Sequence, residues 1–410
     1  MTSARALEPT HGPGSAARQE PLFTATYLTL WLCNFFLILG MSVYVLLPHY
    51  LMLRGTSEGF YGAVSGTIGL ASFACGIALG HLGDRWNRKT ALNLYLAPGV
   101  AGTVLALLAL ESDPAWYFVV RMLHGVATGL GFPIFVAWVL EASPTGRRTE
   151  ALAYFGLSGL IAGSFGPFLG ELLLSWQGAA AGAMGYRWVF ALSLASTLVA
   201  LALVQLRRAP AQDASGERAR GGLLTLMSRP APRLVLAMVV NFGGVSFILM
   251  FFGKTFAAHL HLAYSTVLFA AFTAGAVSSR IGIRWILARV TQSHLIVAAL
   301  LGIVLSMTVA AFAQGYVGLA LAGWLYGTSH GVLYPSLYLR FLEFHAPQVL
   351  GRASTLYSGA FSLGSGLYPY LGGFLLQATN FPTLFLAAGG LALISLGLHV
   401  RVERAMRSGR

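Results

Sequence analysis

The stretch Gly80-His81-Leu82-Gly83-Asp84-Arg85-Trp86-Asn87-Arg88-Lys89 separates two long apolar segments, at residues 59–80 and 91–110. It sets one acid beside three cations in a chain of 410 residues that is 56% hydrophobic and only 10% charged. A chain of this composition cannot expose most of its surface to water. The stretch and the composition together predict a membrane protein in which a short charged loop joins two membrane helices.

Apolar segments of similar length continue on both sides of this loop. A helix needs about 20 apolar residues to cross the hydrocarbon of a bilayer. Runs of this length lack the strict two-residue alternation of a membrane barrel strand, so we expect an all-α membrane protein. The predicted segments are 22–47, 59–80, 91–110, 115–140, 151–174, 187–206, 233–253, 263–279, 286–312, 316–338, 353–376 and 381–400.

The basic residues predict the orientation of these helices. Of 26 lysines and arginines, 22 fall on one side of the membrane if the segments alternate in direction. The opposite side would carry only Arg54, Arg187 and Lys254, and Arg121 would lie inside the fourth segment. Cytoplasmic loops are enriched in basic residues, which predicts that both termini are cytoplasmic. The net charge of +13 is therefore ascribed to topology, and no nucleic-acid partner is expected.

The segments divide six and six around the longest polar interval. The predicted organisation is a cytoplasmic tail 1–21, a six-helix bundle 22–206, a cytoplasmic linker 207–232, a second six-helix bundle 233–400 and a basic cytoplasmic tail 401–410. The halves share a weak sequence echo, because Pro167 and Gly170 recur 202 residues later as Pro369 and Gly372. Parallel repeats joined by a cytoplasmic linker are typical of transporters that bind substrate between the halves.

The loop at residues 80–89 resembles the G-x-L-a-D-r-x-G-r-[RK] loop of the major facilitator superfamily, with Asn87 in place of the second glycine. The resemblance implies twelve transmembrane helices in two six-helix bundles. It also implies that Asp84 helps to lock the outward-open state through the eleventh helix. The alternative is that the basic residues only set the topology. The predicted gating loop comprises Gly80, Asp84, Arg85, Arg88 and Lys89.

The fourth segment contains an intramembrane cation. Arg121, His124 and Gly125 resemble the R-x-x-q-G pattern of the same family, which implies a role for the arginine in proton coupling or substrate binding. A charge inside a membrane segment is costly and normally functional. A purely structural ion pair is the alternative for Arg121. His124 is either a proton carrier or a hydrogen-bonded structural residue.

The fifth segment carries Gly159, Gly163, Gly166, Pro167 and Gly170, which resemble the family's G-x-x-x-G-P-x-x-G-G motif. That motif is associated with antiporters, and it implies export. Small residues four apart allow close helix packing, and proline kinks a helix. Glu171 replaces the final glycine. It is either a proton-accessible carboxylate paired with Arg121 or His124, or an interfacial acid at a helix end.

The first, fourth, seventh and tenth helices line the cavity in the family that the chain resembles. Polar and aromatic side chains on these segments are therefore predicted to contact substrate, although such residues are more often packing groups. An unpaired polar group in hydrocarbon is costly, which favours the polar members. The predicted cavity residues are Asn34, Trp138, Asn241, Tyr326 and His330.

The sequence predicts a carrier driven by an ion gradient rather than an enzyme. It contains no ATP-binding GxxxxGK[ST] loop, no HExxH and no plausible nucleophile elbow, and no cofactor or metal is expected. The predicted function is proton-coupled efflux of a small organic compound by a monomer in the cell inner membrane. The alternatives are a proton symporter that imports a small solute and a membrane-embedded enzyme or receptor.

Overall fold

The computed structural model describes residues 21–79, 87–144, 147–207, 223–287, 289–346 and 349–407. The regular structure in these ranges is helical, and twelve long helical segments, α1–α12, follow one another along the chain. Nine of the segments in the described ranges are long and apolar enough to cross a membrane, and α8, α10 and α11 are the three that are not among them.

The first half contains α1–α6. Their bounds are Ala25–Leu53, Glu58–Leu79, Arg88–Leu108, Trp116–Glu141, Arg148–Gln177 and Tyr186–Gln205. Helix α1 is interrupted by a tighter 3₁₀ turn, Val43–Leu46. The second half contains α7–α12, with bounds Pro230–His259, Thr266–Leu287, Gln292–Ala311, Tyr316–Leu342, Leu350–Ala378 and Phe381–Arg407.

Local capping explains where some of these helices begin. The Asn87 side chain accepts a hydrogen bond of 2.8 Å from the Thr90 backbone N–H and caps α3. Asn87 has φ −59°, so it serves as a cap in ordinary extended geometry, whereas glycine would be favoured only by a left-handed turn. The residue that departs from the family pattern thus stabilises the start of α3.

Two predicted boundaries differ from the structure. Helix α12 continues to Arg407, so the first seven residues of the predicted tail 401–410 are helical. Helix α8 continues to Leu287, well past the predicted end at residue 279. Polar and charged side chains follow the apolar core of each helix, and hydropathy alone ends a segment where they begin.

Both halves pack in the same way. In each half the first helix contacts the fifth and sixth, the second contacts the fourth, and the third contacts the fourth and sixth. Contacts between the halves come mainly from α2 with α11 and from α5 with α8, together with the end of α1 against α7. This arrangement confirms the predicted fold of two six-helix bundles.

We name the two ends of the helical bundle after the helix ends that lie there. The linker face is where α6 ends at Gln205 and α7 begins at Pro230, and the distal face is where α1 ends at Leu53 and α2 begins at Glu58.

Candidate transport site

Helices α2 and α11 bring the two halves into close backbone contact. A Cβ atom added at Gly62 would lie 2.6 Å from Gly373 Cα and 2.8 Å from the Pro369 carbonyl oxygen. Gly66 approaches Gly366 in the same way. Only glycine permits such an approach, since any side chain would force the helices apart. The halves are therefore held together along a stripe of glycines.

A buried ion pair joins the halves near the distal face. Glu171 Oε1 on α5 lies 2.8 Å from Lys254 Nζ on α7, and their side chains are only 3% and 8% exposed. The same carboxylate accepts hydrogen bonds of 2.8 Å from the backbone N–H groups of Ser265 and Thr266, where α8 begins. Both hydroxyls of these residues also donate to it. We call this group of four residues the distal lock.

The distal lock stabilises the ionised carboxylate of Glu171 through N–H donors, a helix dipole and a lysine charge. A helix N-terminus presents unpaired N–H groups and a partial positive charge, which favour a carboxylate. Lys254 adds a full charge, and it also donates to the Ala263 carbonyl at 2.9 Å. Because Glu171 belongs to the first half and its partners to the second, the lock holds the distal ends of α5, α7 and α8 together. Glu171 is thus bound to Lys254, and not to Arg121 or His124.

A second contact between α5 and α8 lies nearer the middle of the membrane. Ser164 Oγ on α5 donates to the Phe269 carbonyl oxygen at 2.6 Å and is hydrogen bonded to the Thr273 hydroxyl. Thr273 Oγ1 also contacts the Leu160 carbonyl oxygen at 3.2 Å. The polar contacts of α5 with α8 therefore run from the distal lock to mid-helix.

Arg121 lies between the two halves, five residues from the distal start of α4. It is 1% exposed, and its guanidinium carbon lies 5.5 Å from the ring centres of Tyr44 on α1 and Phe251 on α7. Its Nε and Nη1 atoms are buried without a hydrogen-bond partner. The structure therefore gives no structural ion pair to this arginine among the described residues.

His124 lies one turn further along α4 and is fully buried. Its Nε2 atom is 3.2 Å from Thr103 Oγ1 on α3, and its ring meets the Tyr44 ring edge-on at 4.5 Å between centres. Its Nδ1 atom has no partner among the described residues. His124 is thus held on one side by a hydroxyl and an aromatic ring, while its second nitrogen makes no hydrogen bond with them.

His330 occupies the middle of α10 within an aromatic group. Its ring centre lies 5.1 Å from Phe242 on α7, 5.4 Å from Phe272 on α8 and 6.2 Å from Tyr334 one turn along. Its Nδ1 atom is buried, and no described residue bonds to it. Of the five predicted cavity residues, His330 is the one with an unused buried polar atom within the described part of the chain.

The other four predicted cavity residues have partners within their own half. Asn34 Nδ2 donates to Ser158 Oγ at 2.7 Å, and Trp138 is packed in the apolar core of the first half. Asn241 donates to Ser395 Oγ at 3.1 Å and accepts from the Tyr368 hydroxyl at 2.7 Å. The Tyr326 hydroxyl is hydrogen bonded to Ser246. Their role in binding substrate stays a prediction.

The predicted antiporter-type motif on α5 faces α1. A Cβ atom at Gly166 would lie 2.8 Å from the Leu39 carbonyl oxygen, and one at Gly170 would lie 2.6 Å from Leu46 Cδ1. Gly159 also faces α1, whereas Gly163 has nothing within 4 Å among the described residues. Pro167 lies inside α5. The motif thus packs against α1 within the first half, and Gly170 lies at the 3₁₀ turn Val43–Leu46.

The predicted gating loop is only partly described. Gly80, Asp84 and Arg85 lie outside the described residues. Arg88 forms a 2.7 Å ion pair with Glu141 at the end of α4, and Lys89 Nζ donates to the Gln205 carbonyl oxygen at 2.9 Å. These two basic residues thus tie the start of α3 to α4 and α6 at the linker face.

Sequence reasoning missed the partners in the distal lock and the glycine stripe of α2. In the sequence Lys254 resembles an ordinary charged residue at a helix end. Ser265 and Thr266 resemble an ordinary helix start, so neither feature indicated a partner for Glu171. The glycines of α2 did carry a signal, since Gly59, Gly62, Gly66 and Gly69 repeat at intervals of three and four. That spacing puts them on one helix face, which indicates a close helix contact.

Comparison with known proteins gives concordant results. The family model described as Major Facilitator Superfamily matches residues 30–344. Multidrug resistance protein MdtG of Escherichia coli O17:K52:H18 is 25% identical over 334 residues, 77% of this chain and 78% of that protein. Inner membrane transport protein YajR of Escherichia coli K12 is 30% identical over 179 residues, 43% of this chain but only 36% of that protein.

Two solved structures share the fold at 16% identity. A point mutant of the nucleoside transporter NupG superposes with a TM-score of 0.75, and the match covers 92% of this chain and 99% of that one. A bacterial homologue of the human lysosomal transporter Spinster, inward-facing and unoccupied, gives 0.74 and covers 95% and 99%.

Proposed function

This chain belongs to the Major Facilitator Superfamily, a family of membrane transporters, and on that premise we propose that it exports a small organic compound in exchange for protons. The two halves would rock about the substrate so that the linker face and the distal face open in turn. The observation that carries the proposal is the distal lock, because its ion pair joins the halves through one titratable group.

Protonation of Glu171 would release the distal lock. The ionised carboxylate binds Lys254 and the start of α8 across the two halves. A neutral Glu171 would leave Lys254 buried without a counter-ion, which is strongly unfavourable. Opening the distal face would relieve that cost by hydrating Lys254. A proton on Glu171 therefore favours the distal-open state, and its loss favours the distal-closed state.

This dependence favours exchange over symport. An importing symporter must return empty, which means that it must open its distal face with neither proton nor substrate bound. The distal lock is strongest in that empty, deprotonated state and opposes the return step. An exchanger requires the opposite, namely that the empty carrier keeps its distal face closed until substrate binds. The lock therefore supports proton-coupled export.

Import by a proton symporter is the second candidate. The solved structures of this fold include the fucose:proton symporter FucP and the nucleoside transporter NupG, while MdtG is a multidrug resistance protein. Proteins similar to this chain thus include a proton symporter as well as a multidrug resistance protein. The distal lock and the glycine motif on α5 favour export for this chain.

Three groups of residues would have distinct roles. Arg121, His124 and Glu171 are the coupling candidates, and Glu171 is favoured because it alone of the three forms an ion pair between the halves. His330 would contact substrate through its free nitrogen. Asp84 would act on the linker face as Glu171 acts on the distal face. We place the protein in the cell inner membrane as a monomer, with both termini cytoplasmic.

The direction of coupling can be tested in inverted membrane vesicles whose interior is acidic. We would add a panel of organic compounds outside and follow the internal pH with a fluorescent dye. An exporter in this orientation takes up its compound and releases protons from the interior. A symporter would instead carry protons inward together with the added compound. Acidification on compound addition would therefore replace the export proposal with import.

A further inference from the structure

Arg121 is a buried charge that has no counter-ion among the described residues. It is 1% exposed, two of its nitrogens have no hydrogen-bond partner there, and its neighbours are the rings of Tyr44 and Phe251. Buried charges in proteins are normally paired, because removing an ion from water is costly. Cation–π contacts offset only part of that cost.

No carboxylate of the described residues can serve as that counter-ion. Glu171 is the only buried acid among them, and both of its oxygens are occupied by Lys254 and the start of α8. The other described acids lie at helix ends and loops, and none forms an ion pair with Arg121.

The part of the chain that the structure describes therefore supplies no counter-ion to Arg121. A buried guanidinium with two unsatisfied nitrogens can be stabilised by an anion that enters the site, since an anion supplies both the charge and the hydrogen-bond acceptors.

We propose that Arg121 binds the anionic group of the transported compound, which makes the substrate class an organic anion with an apolar, ring-containing body. A guanidinium presents paired N–H donors that match a carboxylate or a sulfonate. Tyr44 belongs to the first half and Phe251 to the second, so a compound bound here contacts both halves. This inference rests on the proposed transport function and deepens it.

The first test needs no added ligand and uses thermal unfolding of the full-length protein in detergent at low salt concentration. Arg121→Gln removes an unpaired charge, so its unfolding midpoint should equal or exceed that of the wild type. Lys254→Gln is the matched control, since it removes a cation of similar burial that has a partner. Its midpoint should fall. A comparable fall in Arg121→Gln would reveal an internal counter-ion and overturn the proposal.

The second test measures binding by the shift of the unfolding midpoint with four probes that share one ring system. The probes are 2-naphthoate, 2-naphthalenesulfonate, 2-naphthamide and 2-naphthylmethylammonium. We expect stabilisation by the two anions only, with affinity at least about tenfold weaker in Arg121→Gln. Arg121→Lys should retain part of the affinity, because lysine keeps the positive charge but lacks the paired N–H donors of the guanidinium.

The outcomes separate this inference from the proposed function. Absence of binding by either anion, or anion binding that Arg121→Gln leaves unchanged, would overturn the anion site. Proton flux driven by the ammonium probe would also overturn it, while proton-coupled transport itself would stand. Anion binding that depends on Arg121 but moves no protons in vesicles would support the site and contradict the coupling proposal.

Discussion

Glu171 shows how one residue can be understood only through its partners. A carboxylate at the end of a membrane helix is ordinary by itself, since helix ends reach the polar interface. Here it is buried and receives a lysine, two backbone N–H groups and two hydroxyls from the other half. Each partner favours the ionised form, so the contact between halves depends on the charge of this one group.

The first prediction concerns the stability of the Glu171–Lys254 pair. Glu171→Gln leaves Lys254 buried and unpaired, and removing one partner of a buried ion pair costs about 3–5 kcal/mol. We expect a lower unfolding midpoint in detergent for this variant. The double variant Glu171→Gln/Lys254→Met removes both charges and should recover most of the loss. A double variant no more stable than the single one would show that the pair is not coupled.

The second prediction concerns coupling. If Glu171 carries the proton, Glu171→Gln should exchange substrate across a liposome membrane without a gradient but should fail to accumulate it when a pH gradient is imposed. His124→Gln and His330→Gln serve as matched variants, since each removes one buried titratable group. They should keep the response to pH. Retention of pH-driven accumulation by all three would place the proton carrier elsewhere, with Asp84 the next candidate.

At the scale of helices, glycine decides which elements approach most closely. The stripe on α2 meets α11 across the boundary between halves, whereas the motif on α5 meets α1 within the first half. If the distal face opens, the α2–α11 contact must rearrange because it joins the two halves. The α5–α1 contact can stay intact because both helices belong to the first half. Under the proposed rocking motion, the same residue type would serve a moving interface on α2 and a fixed one on α5.

The third prediction concerns the α2–α11 contact. In Gly62→Ala the new methyl group would lie 2.6 Å from Gly373 Cα, so the two helices must separate. We expect a population shift toward the distal-open state, measured as longer distances between spin labels at the distal ends of α2 and α11. Gly163→Ala is the control, because the described residues leave open space within 4 Å of it. A shift of equal size in the control would rule out steric contact as the cause.

At the scale of the whole molecule, the two halves repeat one packing scheme. They meet where the second helix of each half packs against the fifth helix of the other. In the repeat, α8 corresponds to α2 and α11 corresponds to α5, so the α2–α11 contact is the counterpart of the α5–α8 contact. The α2–α11 contact is built on glycine and contains neutral hydrogen bonds, whereas the α5–α8 contact carries the distal lock with its ion pair. The similar scaffold therefore has, among the described residues, one contact without a buried ion pair and one that contains such a pair.

The fourth prediction concerns the orientation of the whole molecule. Reporter tags at residue 215 and at either terminus should all report the cytoplasm, because the basic residues concentrate on the linker face. A tag inserted between α1 and α2, after Gly55, should report the opposite side. A single terminal tag found outside the cytoplasm would contradict the arrangement of twelve crossings in two halves.

The sequence by itself determined the class, the number of helices and the family. These features rest on local properties: an apolar run of about 20 residues forms a membrane helix almost wherever it occurs, and the loop at residues 80–89 is contiguous in the chain. Helix bounds were less certain, as α8 and α12 show, because polar side chains at helix ends follow the chain beyond the hydrocarbon.

Only the tertiary structure decided which partners Glu171 and Arg121 have. Glu171 meets Lys254 across 83 positions of sequence, and no local pattern reports that distance in space. The sequence allowed Glu171 to pair with Arg121, and that pairing would have given both charges a partner. The fold places Lys254 and the start of α8 against Glu171 instead, and Arg121 is left between two aromatic rings with its charge unmet by any described residue. The cost of a buried charge depends on what surrounds it, and packing alone decides that.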